Sequence, residues 1–446
     1  MQTGPTQVTR LGQAVAAACA FACLASPAAA QSVNPRPLGR VSFFTNAARL
    51  APDDASRLTS GEFITSMTYT LADGEGNGLE YGIDLRHSRS TTPGREPRLS
   101  LYDGYIGARV AGGRLRVRGG QMWLTDLGAL GSVTGALVEF RQAPSVSPVG
   151  RFRAGAFAGV EPTMFTFGYV HGIRKIGGYA ALEGRAGRRH VAGLVDVSHG
   201  QFHERSVFTA TNFVPIKSRA FVYQATEYDI KGPGGQGRGG LTYFMMNTRL
   251  TVTSRVDLQT LYHRGRSIDA RGVTDDLINE RPISPTALEG LLFQSAGARL
   301  YVQVTGDLRA QVGFSRDRTN HDSAPTDRVT YGASTSNLAR TGVDVTVTES
   351  RIDRPTGRYT SHFASVGRQI GRLVYLSGDY STSLSVARFT RSDGVTIETR
   401  PRTRRLSASA VVYVGRHVSL LATCDRTRDD TSSELRVLSG LTYRFR

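Results

Sequence analysis

The sequence predicts an all-β fold: a transmembrane, antiparallel, up-and-down β-barrel of about 18 to 22 strands with one long helix-containing loop. Three observations predict it. Segments of about ten residues alternate apolar and polar side chains, the period of a strand whose two faces meet different surroundings. Tight turns alternate with longer polar connections through the C-terminal third. After residue 30 no apolar run approaches the roughly 20 residues of a spanning helix, so a membrane crossing in this composition needs a closed barrel. A soluble β-sandwich shares the alternation, but each apolar face would need a second sheet to cover it.

The chain divides into a leader, residues 1–30, and the barrel, residues 31–446. Arg10 supplies a positive start, Leu11 to Ala25 is an uncharged apolar run, and Ala28-Ala29-Ala30 matches a small-residue cleavage site. The expectation is an exported protein cleaved after Ala30. Cys19 and Cys23 lie in the leader, which leaves Cys424 with no partner for a disulfide.

Residues 39–46 read as an opening strand and residues 51–61 as a polar loop. The first hairpin joins Phe63, Met67, Tyr69 and Leu71 to Leu79, Tyr81, Ile83 and Leu85 across a Gly-rich turn. The second turns at Ala111-Gly112-Gly113. Its apolar face carries Tyr102, Ile106, Val110, Leu115 and Val117, and its other face carries Asp103, Tyr105, Arg109, Arg114, Arg116 and Arg118. In a barrel that polar face lines the lumen.

The segment from Trp123 to Val133 is apolar as well as Gly-rich, a composition suited to a loop folded against the barrel or packed on neighbouring loops. The run GPGGQGRGG at 232–240 lacks the Lys-Ser/Thr ending of a phosphate loop and reads as a connection. Residues 265–295 are the longest interruption. Two short helices are expected there, one capped by Thr274 and one by Ser284 with Pro285 behind it. Further hairpins turn at Gly306-Asp307, Gly371 and Gly415, separated by polar connections at 316–328, 351–358, 389–402 and 425–434.

The last stretch, Leu435 to Arg446, places Leu435, Val437, Leu441, Tyr443 and Phe445 on one face. Leu441, Tyr443 and Phe445 at every second position up to the end resemble the C-terminal signature of Gram-negative outer-membrane β-barrels, with Arg446 following the aromatic. The resemblance implies a porin-like barrel in the bacterial outer membrane, with this strand as the signal read by the assembly machinery. Outer-membrane lipid and lipopolysaccharide are then its surroundings.

The formal charge is +18, nearly all of it arginine and only Arg10 of it in the leader. Nucleic acid is a poor partner, because the arginines are scattered through strands and the chain is exported. The rows Arg109, Arg114, Arg116, Arg118 and Arg151, Arg153 fit an anion-favouring pore lining. They equally fit pairing with Asp103, Glu139, Asp196 and Asp257 across the interior. No enzyme, cofactor or metal is expected. His199, His203 and Glu204 lack the helix that would make them converge, and adjacent Ser361 and His362 point to opposite faces of a strand.

The expected function is a porin-like channel for passive passage of polar or anionic solutes. The alternative is a plugged barrel serving surface assembly or polysaccharide export. A lumen this wide needs narrowing, and the candidate constriction is the 265–295 loop through Leu288, Leu291 and Phe293, helped by residues 123–133.

Overall fold

A computed structural model describes residues 37–53, 56–71, 76–143, 150–163, 166–232, 238–390 and 395–445. The leader and Arg446 lie outside the described residues, as does most of the 232–240 run. The first strands are β1 (Leu38–Pro52), β2 (Leu58–Leu71), β3 (Gly78–Ser90), β4 (Arg98–Val110) and β5 (Leu115–Trp123). They continue as β6 (Ser132–Arg141), β7 (Arg151–Pro162), β8 (Tyr169–Glu183), β9 (Arg189–His199) and β10 (Phe202–Ile216). Numbering runs on in chain order to β23 (Ser432–Phe445), giving one 23-stranded antiparallel sheet.

Apart from β20 and β21, which do not pair with each other, each strand pairs with its sequence neighbours, and β1 pairs with β23 to close the ring. The barrel has 22 staves, because β20 (Thr396–Thr399) and β21 (Arg402–Val414) pair in succession along the single strand β19 (Val374–Thr390). The even count brings Leu38 and Phe445 to one end, called here the terminal end.

The seam is clasped on both faces. Outside, the Phe445 ring lies over Gly39, where any Cβ would collide with it. Inside, the Phe44 ring covers Gly440 in the same way. Thr45 and Ser439 share a hydrogen bond at 2.7 Å across the seam, and Thr442 donates to Ser42 at 3.0 Å.

Cross-strand partners share a face, which fixes the inside and the outside. Leu435, Val437, Leu441 and Tyr443 are 39–46% exposed on the outer face, with Phe445 beside them. Exposed Ile106, Leu194, Phe314 and Leu406 continue the apolar outer surface round the ring, the surface of a barrel that crosses a membrane. No described helix is long and apolar enough to do so.

Several sequence expectations change. The polar connections at the far end are mostly strand. β17 (Val343–Arg354) and β18 (Gly357–Ile370) are joined by residues 355–356 alone, and β22 (Val418–Arg428) and β23 by residues 429–431. Both faces of these extensions are mostly polar, Ile352 apart, so the apolar alternation that marks a strand is missing from them. The 51–61 loop likewise shrinks, since β1 runs to Pro52 and β2 starts at Leu58. Residues 198–204, expected not to be helical, form a tight hairpin between β9 and β10, with Phe202 paired to His199.

The long loop holds two helices, α1 (Ala270–Ile278) and α2 (Pro285–Glu289). Ser284 and Pro285 start α2 as expected. The cap of α1 is Asp269, whose carboxylate accepts from the Gly272 N–H at 2.9 Å. Thr274 sits in mid-helix, fully buried, donating to the Ala270 carbonyl at 2.9 Å.

Candidate functional site

The lumen has two contrasting walls, one of them filled. β5 and β6 are only 9 and 10 residues long, and the 3-10 segment Thr125–Gly131 between them folds inward. Its Leu127 is fully buried among the inner side chains of β6 to β10, including Val133, Phe157, Val195 and Val207. A glycine makes that approach possible: a Cβ on Gly193 of β9 would strike Leu127. The buried apolar cluster of the protein is therefore inside the barrel wall, where this segment lies.

Below the apolar patch the same wall is a dense ion network. Glu139, 1% exposed, is its centre: it accepts from Arg116 at 3.3 Å and Arg153 at 2.9 Å, and from Arg141 and Tyr179. Arg116 also meets Glu80 at 3.0 Å, and Arg118 meets Glu80 at 2.8 Å while stacking on Tyr105. Asp126, carried in by the folded segment, holds Arg153 at 2.6 Å and pairs with Arg189. These arginines are thus largely compensated. In such a low-dielectric cluster an unpaired charge would be costly.

The other candidate residues fall as follows. Arg109 and Asp103 share the lumenal face of β4; Arg109 is buried, and its Nε and Nη1 have no hydrogen-bond partner. Arg114 lies exposed in the turn at the terminal end and does not line the lumen. Arg151, at the start of β7, donates to the Gln142 carbonyl at 2.9 Å. Asp257 is lumenal and binds Arg249 at 2.9 Å and Arg309 at 3.2 Å. Asp196 is a correction: it shares the outer face with Leu194, and Ser206 donates to it at 2.5 Å. It neutralises nothing inside.

A second insert sits at the far end. α1 folds against β10, with Val273 and Thr274 buried. Arg271 bridges to Glu161 at 3.0 Å and to Glu204 at 3.4 Å, and Asp275 meets His199 at 3.2 Å. Lys175 lies between the two inserts: it pairs at 2.9 Å with Glu161, which also holds Arg271, and donates at 3.2 Å to the carbonyl of Ser132, just after the 125–131 segment. His199, His203 and Glu204 thus serve separate contacts. Among the described residues no group of three or more His, Cys, Asp or Glu is placed to hold a metal.

Of the candidate constriction residues, Phe293 faces the lumen, packed edge-on to His263 with Tyr243 beyond. Leu291 shares its face at the rim, 41% exposed, and Leu288 is half-buried in α2. Both Leu291 and Phe293 belong to strand β14 (Leu291–Gln303), so the loop itself is residues 268–290. A cavity of about 250 Å³ lies under α1, lined by Arg205, Glu227, Tyr243, Ala270 and Phe293.

Across the ring, from β16 (Thr326–Thr335) to β23, the lumenal positions are mainly hydroxyls. Cross-strand pairs such as Thr330 with Ser350, Ser377 with Ser409 and Asp379 with Ser407 share that face. The first two pairs are hydrogen-bonded at 3.0 and 2.8 Å. Sequence reasoning found the arginine rows and the folded segments. It missed Glu80 and Asp126 and weighed Glu204 only as a metal ligand; their partners lie up to 67 residues away and leave no local spacing to read.

No protein-family model matches the chain, and no curated protein matches it by sequence. Among solved structures, OccAB4 of Acinetobacter baumannii is 9% identical over 93% of this chain and 100% of that one, with a TM-score of 0.43. The P pilus usher (PapC) translocation pore is 12% identical over 91% and 100%, at 0.42. OpdQ of Pseudomonas aeruginosa is 9% identical over 92% and 98%, at 0.43. The strand count, closure and faces of this barrel rest on its own ladder registers.

Proposed function

We propose that this chain is an outer-membrane channel, porin-like, through which polar or anionic solutes diffuse. One observation carries the reading: the barrel is closed and apolar outside, while its two inward-folded segments pack on β8 to β10 and leave a hydroxyl-lined wall across the ring. Solutes then pass between a wall of arginines held by carboxylates and a wall of serines and threonines. The inserts set the width, and hydroxyls and fixed charges exchange hydrogen bonds with a partly dehydrated solute. The leader, the short turns at the terminal end and the aromatic closing strand favour insertion from the periplasm, with the 268–290 loop outside the cell.

Planar-bilayer recording tests this. The wild-type barrel should conduct, with a reversal potential in a salt gradient of the sign for anion preference. Ser267 and Leu291 are cross-strand partners, so a two-residue Asn-Gly turn can replace residues 268–290 without disturbing the ladder. That variant should conduct several-fold more. Silence from both proteins, correctly inserted, would mean a plugged lumen and sink the channel reading.

A further inference from the structure

The turns at the terminal end carry a run of like charge along the arc from β10 to β22, called here the ring. From β10 to β22 there are six of these turns. Five hold Lys217 and Arg219, Arg255, Arg340, Arg372 and Arg416, and the sixth, 304–307, holds the one anion, Asp307. All six cations are exposed, and none has a side-chain hydrogen bond or ion pair among the described residues. At the far end cations are interspersed with carboxylates, and many are paired, as Arg316 is with Asp327 at 2.7 Å and Arg388 with Glu398 at 3.0 Å.

Four of the six cations stand within two residues of an exposed apolar side chain of the belt. Ile216 precedes Lys217, Ile370 and Leu373 bracket Arg372, Val414 lies two residues before Arg416, and Leu338 two before Arg340, all of them exposed. An exposed apolar residue with an unpaired cation within two positions suits the boundary between acyl chains and headgroups, where long basic side chains bury their stems and lift their charge. Turns this short cannot carry the charges beyond the headgroup layer.

We propose that this ring binds the phosphates of anionic phospholipids in the leaflet at the terminal end, giving the barrel an annulus selected for negative headgroups. A soluble acidic protein fits less well, because the cations are spread around the rim beside lipid-facing side chains and do not form one patch. The inference does not depend on whether the lumen conducts. It needs only the closed barrel in a bilayer, where anionic headgroups attract basic residues near the surface.

The test measures association of spin-labelled phosphatidylglycerol and phosphatidylcholine with the barrel in phosphatidylcholine bilayers. The wild type should hold phosphatidylglycerol several-fold more strongly, and the preference should fade at about 1 M salt, where the Debye length is about 3 Å. The K217Q/R219Q/R255Q/R340Q/R372Q/R416Q variant, checked for insertion by its heat-dependent gel shift, should lose it. If that variant does not insert, the salt titration of the wild type still decides. Equal association of the two lipids with the wild type, or a preference unchanged by salt or by the inserted variant, overturns the proposal. Capture of polyglutamate without lipid preference would hand the ring to a soluble partner and overturn it as well.

Discussion

Replacing Glu139 with glutamine tests whether the arginine wall is held by its carboxylates. Glu139 is 1% exposed and accepts hydrogen bonds from Arg116, Arg141, Arg153 and Tyr179. A glutamine offers one acceptor oxygen and turns an NH₂ toward donors. Removing one partner of a buried ion pair costs about 3–5 kcal/mol. Arg116 would keep Glu80 at 3.0 Å, and Arg153 would keep Asp126 at 2.6 Å. Arg141, with its side chain 23% exposed, can turn to water. Tyr179 has no such fallback, so the loss should fall near the lower limit, about 3 kcal/mol. Urea unfolding from lipid vesicles, followed through Trp123, the only tryptophan, would measure it. The same variant adds one net positive charge to the lumen, so its reversal potential should move further toward anions. An inserted variant with stability within about 0.5 kcal/mol of wild type and unchanged selectivity would refute the network as the organiser of this wall.

Leu127→Ala should cost about 2–5 kcal/mol of docking of the 125–131 segment, and Gly193→Val should expel it sterically; both should raise conductance and expose the segment to protease, and unchanged cleavage would count against the packing. Tyr443→Ala with Phe445→Ala removes two apolar side chains worth about 1.5–3 kcal/mol each when buried, unclasps the seam and removes the supposed assembly signal; normal surface levels of the double variant would contradict that role. Peptide tags at Asp322 and Asp429 should be labelled on intact cells and tags at Gly371 and Gly415 should not, equal labelling being the contrary result; Asp393, a third site of this kind, lies outside the described residues. The Thr431 N–H and the Ser432 hydroxyl hold the Asp429 carboxyl below its ordinary value of 3.8. That turn should therefore be fully formed above the ordinary value and loosen only as pH falls through the lower folded one. Amide exchange at Thr431 that ignores acid would refute it.

What the sequence disclosed follows from which contacts are local. Hairpins such as β21–β22, with Ala408, Ala410 and Val412 facing outward, announce themselves because one face meets lipid and the other water. Past the membrane that contrast vanishes, so β17 and β18 read as loop around residues 351–358 although they are paired nearly to their tips. Ser284-Pro285 marks a helix start through its own backbone preferences. Thr274 looked like a cap because its acidic neighbours resemble a first turn, but burial against the wall fixed the helix one turn earlier. The arginine rows were visible, whereas their compensation by Glu80 and Asp126 depends on a closed ring and an inward fold.

The clasp of Phe445 over Gly39 and Phe44 over Gly440 bears on how the molecule is made. Every other pairing joins neighbouring staves, so the sheet can grow hairpin by hairpin at little entropic cost. Only the seam brings together residues some four hundred positions apart, a closure costing about 5 kcal/mol in chain entropy. Its ladder runs from Gly39–Phe445 to Pro52–Ser432 and offsets that cost only when zipped from end to end. Until both rings settle on their glycines, the two edges are open strand templates that could accept another chain. Closure therefore works as a commitment step. A bulkier residue at position 39 or 440 should leave a fully hairpinned sheet stranded before it, prone to edge-to-edge association.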